Sequence, residues 1–195
     1  MPLVLTSGPA IEPVSIAEAK AHLRLDPAAT AEDAMIGSLI LTSRLHIEAA
    51  LGLALITQSW TQTLDAWPSI DAYVILGPRP IQSVTAVRVR AADNSAVMLL
   101  PTQYQFDAAS VPARLIRPGN AFWPPPGKAA AGIEIDLAAG FGPAAADVPA
   151  PIRQALLLLT AHWYEHRDPI EIGSDSTRVP AAVSHLLDPW RLKRL

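Results

Sequence analysis

His162, Glu165 and His166 lie within the five residues HWYEH. On a helix, two histidines four residues apart share a face and can hold one zinc ion, and a glutamate beside them can act as general base. H-x-x-E-H is the order used by one class of zinc peptidase. That chemistry also needs a third ligand, normally a carboxylate well downstream on another element. Glu171 is the only glutamate after the motif and follows almost at once, behind Asp168-Pro169; Asp175 lies in a polar stretch and Asp188 adjoins another proline. Two ligands are therefore in place without an evident third.

Other catalytic arrangements have less support. There is no nucleophile elbow, no glycine-rich phosphate loop and no cysteine to pair with a histidine. The carboxylates Glu32 and Asp33, and Glu134 and Asp136, read as solvated charges at a helix start and along a strand. We expect no catalytic residue, no metal and no cofactor. A zinc-dependent hydrolase using His162, His166 and Glu165 is the alternative, and a monomeric ligand-binding module is a third reading.

The elements that would position these groups are legible from pattern. PVSIAEAKAHLRLDP reads as a short helix: Ser15 and Glu18 form a capping box, Asp26-Pro27 stops the run, and Ile16, Ala19 and Leu23 share one face with Lys20 and Arg24 opposite. Thr30 can cap a second helix, in which Ile36, Leu39, Ile40, Ser43, Ile47, Ala50 and Leu51 recur at helical spacing until Gly52. Arg44, His46 and Glu48 fall at solvated or edge positions of this helix.

From Thr57 the period changes to two. Strands are expected at TQSWTQTLDAW, AYVIL, IQSVTAVRVR, AVMLL, QYQFD, ARLIR and GIEIDLAAG, with WPPPGK excluded because proline removes backbone donors. Trp60 and Trp67, seven residues apart, would face opposite sides of a regular strand. Helix returns at VPAPIRQALLLLTAHWYEHRD, where Ile152, Ala155, Leu156, Leu159 and Trp163 make one apolar stripe with both histidines at its border.

The fold class is therefore α+β: a helical bundle from the N- and C-terminal segments with a central antiparallel β insertion. The expected division is 1–55 helical, 56–144 the β insertion, 145–172 a bundle helix, and 173–195 a mobile linker, short helix and basic tail.

The bulk properties exclude some functions. A chain of 195 residues can bury a sizeable core. Its net charge of −3 gives no broad basic field for gripping a polyanion. The absence of cysteine excludes disulfides and fits a reducing compartment. The start lacks a basic leader with an apolar core, and the longest apolar run, ALLLLTA, is far short of the roughly 20 residues a bilayer requires, so a soluble protein without membrane association is expected.

Taken in order, PVSIAEAKAHLRLD, EDAMIGSLILTSRLHIEAALGLALITQSWTQTLDAWP, VPAPIRQALLLLTAHWYEHRD and VPAAVSHLLDPWR resemble the head–tail connector (adaptor) family of long-tailed bacteriophages and gene transfer agents. The resemblance spans nearly the whole chain, with Phe141 in AAGFG standing where the pattern has tyrosine. It implies a structural virion protein: a ring of twelve copies in the neck between the portal protein at the capsid vertex and a tail-side stopper or tail terminator protein. DNA would pass through the lumen without sequence-specific binding, and assembly would take place in the bacterial cytoplasm. In this family the HWYEH helix is structural.

Two features suit such a role. Leu156, Leu157, Leu158 and Leu159 are consecutive and point all round their helix, so Leu157 and Leu158 are candidates for a subunit interface. The terminal DPWRLKRL combines Trp190 with Arg191, Lys193 and Arg194, residue types favoured at binding hot spots, and is the candidate portal-docking segment.

Overall fold

A computed structural model of the chain describes residues 2–68, 73–119, 121–166 and 179–192. The architecture is α+β with antiparallel sheets. The chain divides into two compact units, Met1–Ala10 with Gly52–Phe141 and Ile11–Leu51 with Gly142–Leu195.

Among the described residues the first unit holds eight strands: β1 (Leu3–Ser7), β2 (Gln58–Leu64), β3 (Tyr73–Ile75), β4 (Ile81–Arg90), β5 (Ala96–Met98), β6 (Gln105–Asp107), β7 (Arg114–Ile116) and β8 (Ile133–Ala139). Five form one sheet in the order β1-β2-β8-β4-β5, and three form another in the order β3-β7-β6. Period-two alternation decides which side is core. On β8, Ile133, Ile135, Leu137 and Ala139 are buried while Glu134 and Asp136 face the other way.

The same core takes in Val74, Leu76, Leu115 and Trp123 from the shorter sheet and its loops. Gln62 is buried among them and is fully engaged: its amide donates to the Ile75 carbonyl at 2.8 Å and its side-chain oxygen accepts from the Gly77 amide at 3.2 Å. Gly140, with φ +136°, closes β8 where a Cβ would meet the Ile56 carbonyl carbon at 2.6 Å, so no side chain fits there.

Two sequence expectations differ here. Residues 3–7, expected with the helical part, form β1, because LVLT is a short β-forming run, closed by Gly8-Pro9, that finds its partner more than fifty positions later in β2. Trp60 and Trp67 do not face opposite sides. β2 ends at Leu64, so Trp67 lies beyond the strand and both indoles pack on one core, Trp67 against Trp123 with ring centroids 4.3 Å apart.

Among the described residues the second unit holds four α-helices: α1 (Ile16–Leu23), α2 (Asp33–Leu51), α3 (Ala150–Glu165) and α4 (Ala181–Leu187). The α1 capping box forms as expected, the Glu18 amide donating to Ser15 Oγ at 3.1 Å and the Ser15 amide to Glu18 Oε2 at 2.8 Å. α2 begins three residues after Thr30 and ends before Gly52, whose φ is +63°. Helix α3 packs on α1, α2 and α4.

Ile36, Ile40 and Ile47 of α2 and Ile152, Leu156 and Leu159 of α3 are fully buried, each worth about 1.5–3 kcal/mol relative to exposure. A buried hydroxyl pair, Ser43 Oγ and Thr160 Oγ1 at 3.1 Å, ties α2 to α3. The linker expected from residue 173 and the stop at Asp168-Pro169 lie outside the described residues.

Candidate interaction surfaces

Three ionisable residues of α1 and α2 sit opposite to expectation, while His46 is exposed as expected. Lys20, Arg44 and Glu48, read from the sequence as solvent-side or edge positions, are 4%, 5% and 9% exposed. Arg44 Nε and Nη2 donate to the two oxygens of Glu12 at 2.8 and 3.2 Å, and Nη1 donates to Glu48 Oε2 at 2.8 Å. Burial opposes charge on this guanidinium, but the two carboxylates outweigh it and hold its pKa above the ordinary arginine value. Lys20 Nζ lies 2.5 Å from Asp33 Oδ1, and Tyr164 donates to Glu32. Glu32 and Asp33 are thus partnered and are not bare solvated charges.

The consequence is an uncharged outer face on α2. With about 100° per residue, Asp33, Arg44 and Glu48 fall within an arc of about 60° that points inward. Ala34, Ser38, Leu41, Thr42, Leu45 and Ala49 occupy the exposed arc, with Leu41 40% and Leu45 51% exposed and the exposed His46 at its edge, its ring against Trp163. Even the Thr42 hydroxyl is turned back onto the Ser38 carbonyl at 2.8 Å. Leu39 and Ala50, expected in the buried stripe, are half-buried and exposed. The available signal was the clustering of all three charges on one side of the wheel, with leucines remaining on the other.

By length and composition α2 is apolar enough to cross a membrane although Arg44 and Glu48 interrupt its apolar run, and a third of its most apolar stretch is buried within the chain. Beside its Gly37 is an apolar groove of about 510 Å³, lined by Ile11, Val14, Ile16 and Ile40 among others. Ile16, expected on the buried side of α1, is partly exposed at this groove.

The HWYEH residues are brought together only in part. α3 ends at Glu165, and His166 is its C-cap, outside helical geometry. The imidazoles of His162 and His166 lie 4.6 Å apart between centroids, and His166 Nδ1 is 2.8 Å from the His162 carbonyl. Among the described residues no group of three His, Cys, Asp or Glu side chains could hold a metal ion. Glu171 and Asp175 lie outside the described residues.

Leu157 and Leu158 are half-buried, while Leu156 and Leu159 are core. Trp190 is half-buried at the end of a 3-10 turn, Asp188–Trp190. Arg191 is exposed and its Nε lies 3.1 Å from Asp188 Oδ1. Lys193 and Arg194 fall outside the described residues.

The polar face of the five-stranded sheet carries a charge ladder. Arg90 grips Glu134 with two bonds of 3.0 Å, and Arg88 spans Glu134 at 3.1 Å and Asp136 at 2.6 Å. Thr61 donates to Asp136 at 2.8 Å. The hydrogen bond from Arg90 is the main reason the Glu134 pKa lies below the usual carboxylate value. Glu134 and Asp136, expected as solvated charges, are therefore cross-strand partners. Elsewhere Asp107 accepts from Ser110 Oγ at 2.6 Å and Arg114 Nη2 at 2.7 Å, and its pKa is lowered to about 2.

No protein-family profile and no curated protein matches this sequence. Solved structures do. A chain in the virion of a native gene transfer agent (GTA) particle superposes with a TM-score of 0.83 at 27% identity, covering 100% of this chain and 97% of that one. Its fold is that of a chain in such a particle. A chain in the neck of an empty GTA particle, computed with C6 symmetry, matches at TM-score 0.82 and 28% identity. Another, in the neck of a native particle computed with C12 symmetry, matches at 0.76 and 26%. Both cover 100% of this chain and 97% of theirs. Two of these neighbours are neck structures, which supports a structural role in a virion neck.

Proposed function

We propose that this chain is the head–tail adaptor of a phage or phage-like particle. It forms a ring of twelve copies between the portal and the first tail component, and DNA passes through its lumen. The observation that carries the reading is the end-to-end likeness to chains in GTA necks, extending over both compact units and over nearly all of the neighbour.

The chemistry suits it. A net charge of −3 favours a wall past which DNA slides over a surface that grips it. The helices α1 to α4 act as a bundle carrying the copy-to-copy contacts, to which the half-buried Leu157 and Leu158 contribute. The C-terminal segment with Trp190, Arg191, Lys193 and Arg194 docks on the portal, and the opposite side receives the tail-side stopper or tail terminator protein. Assembly takes place in the bacterial cytoplasm, and no enzymatic step is involved.

Removing the gene from the producing cell tests the reading. DNA-filled heads and separate tails should accumulate unjoined, and the purified chain added back should restore joined particles. Fully joined particles in its absence would contradict it.

A further inference from the structure

We infer that the outer face of α2, centred on Leu41 and Leu45, seats a neighbouring copy of this chain in the ring. The inference rests on the neck reading above, and adds to it the surface by which copies meet.

The argument begins with the inward charges. A helix on a protein surface ordinarily turns charged side chains to water and apolar ones to the core. α2 sends Asp33 toward Lys20, and Arg44 toward both Glu48 and Glu12, leaving an exposed strip without Asp, Glu, Lys or Arg, whose one ionisable side chain, His46, lies at its edge against Trp163. Taking charges out of water is costly even when they are paired, and a helix whose outer face stays wet has no need of it. It is consistent with an outer face that becomes covered.

A neutral strip has nothing to offer a polyanion or a strongly charged partner. Its matching occupant is itself neutral and apolar, and it must be present wherever the chain works. Matching chains occur in necks computed with C6 and C12 symmetry, so a second copy meets both conditions. In a ring of more than two copies the contact is heterologous, so the face meets a different patch of the next subunit. The strip is about 28 Å long and about 10 Å wide, or roughly 280 Å², about a third of the ~800 Å² each partner buries in a standard interface. It is thus one part of a larger contact.

The test pairs Leu41→Lys/Leu45→Lys with wild type, each added to portal-bearing capsids lacking this chain. Both leucines are substantially exposed, so the variant should keep the wild-type circular dichroism spectrum and melting temperature. Ring occupancy, counted by electron microscopy, should fall on the order of 100-fold, since two lysines would be desolvated without partners. A folded variant that builds rings as wild type does overturns the inference and leaves the neck reading standing. Wild type that builds no ring on these capsids overturns both.

A second measurement holds if the variant fails to fold. A photo-crosslinker at Leu45 in assembled particles should join this chain to a second copy of itself. Crosslinks only to another protein or to lipid, or none, would show that something else, or nothing, covers the face.

Discussion

Arg44 donates to Glu48 across one turn of α2, and both side chains are buried while Leu41 and Leu45, on the same helix, face outward. This inversion sets the chemistry of the helical unit and can be tested residue by residue.

Replacing Arg44 alone leaves Glu48 buried without its cation. Arg44→Met should cost about 3–5 kcal/mol of unfolding free energy, and Arg44→Met/Glu48→Met should recover much of it. Urea denaturation measures both. A single variant within about 1 kcal/mol of wild type would mean the pair is not held as described.

The Ser43–Thr160 hydroxyl pair should appear as coupling between α2 and α3. Ser43→Ala and Thr160→Val should each cost about 1–3 kcal/mol, because each leaves a buried hydroxyl unpaired. The double variant should cost less than the two together, and simple additivity in a double-mutant cycle would show that the hydroxyls do not interact.

How much of this was legible depended on how far apart the partners lie. The Ser15–Glu18 capping box spans three residues and could be read directly. Strands β2, β4 and β8 announce themselves by alternation, and α3 by its apolar stripe. The burial of Arg44 depends on Glu12, thirty-two positions away, and no local period carries that information. The strand at Leu3–Ser7 was missed for the same reason, since five residues carry little pattern and its pairing lies in β2. HWYEH shows the limit of a local match: it sets two imidazoles one turn apart and carries no information about a third ligand.

Asp107 gives a pH signature. A carboxylate whose pKa falls on folding stabilises the fold above its unfolded value, and that contribution disappears as pH drops through the folded value. For Asp107 the window runs from about 3.8 down to about 2. NMR titration of its carboxyl carbon should give a midpoint near 2 in wild type and a rise toward the ordinary value in Ser110→Ala, whose hydroxyl is the largest contributor. An unchanged midpoint in that variant would remove the assignment.

The C-terminal segment can be separated from the fold. A chain ending at Asp188 should retain its secondary structure by circular dichroism but lose binding to purified portal, because Trp190 and the basic residues after it are gone. Portal affinity equal to that of the full chain would assign docking to another surface.

The most direct measurement is an image of the full chain bound to DNA-filled, portal-bearing capsids. The account predicts a closed ring coaxial with the portal, with copies meeting along α2 and an open lumen. A chain that remains single beside the portal, or sits elsewhere on the capsid, would contradict it.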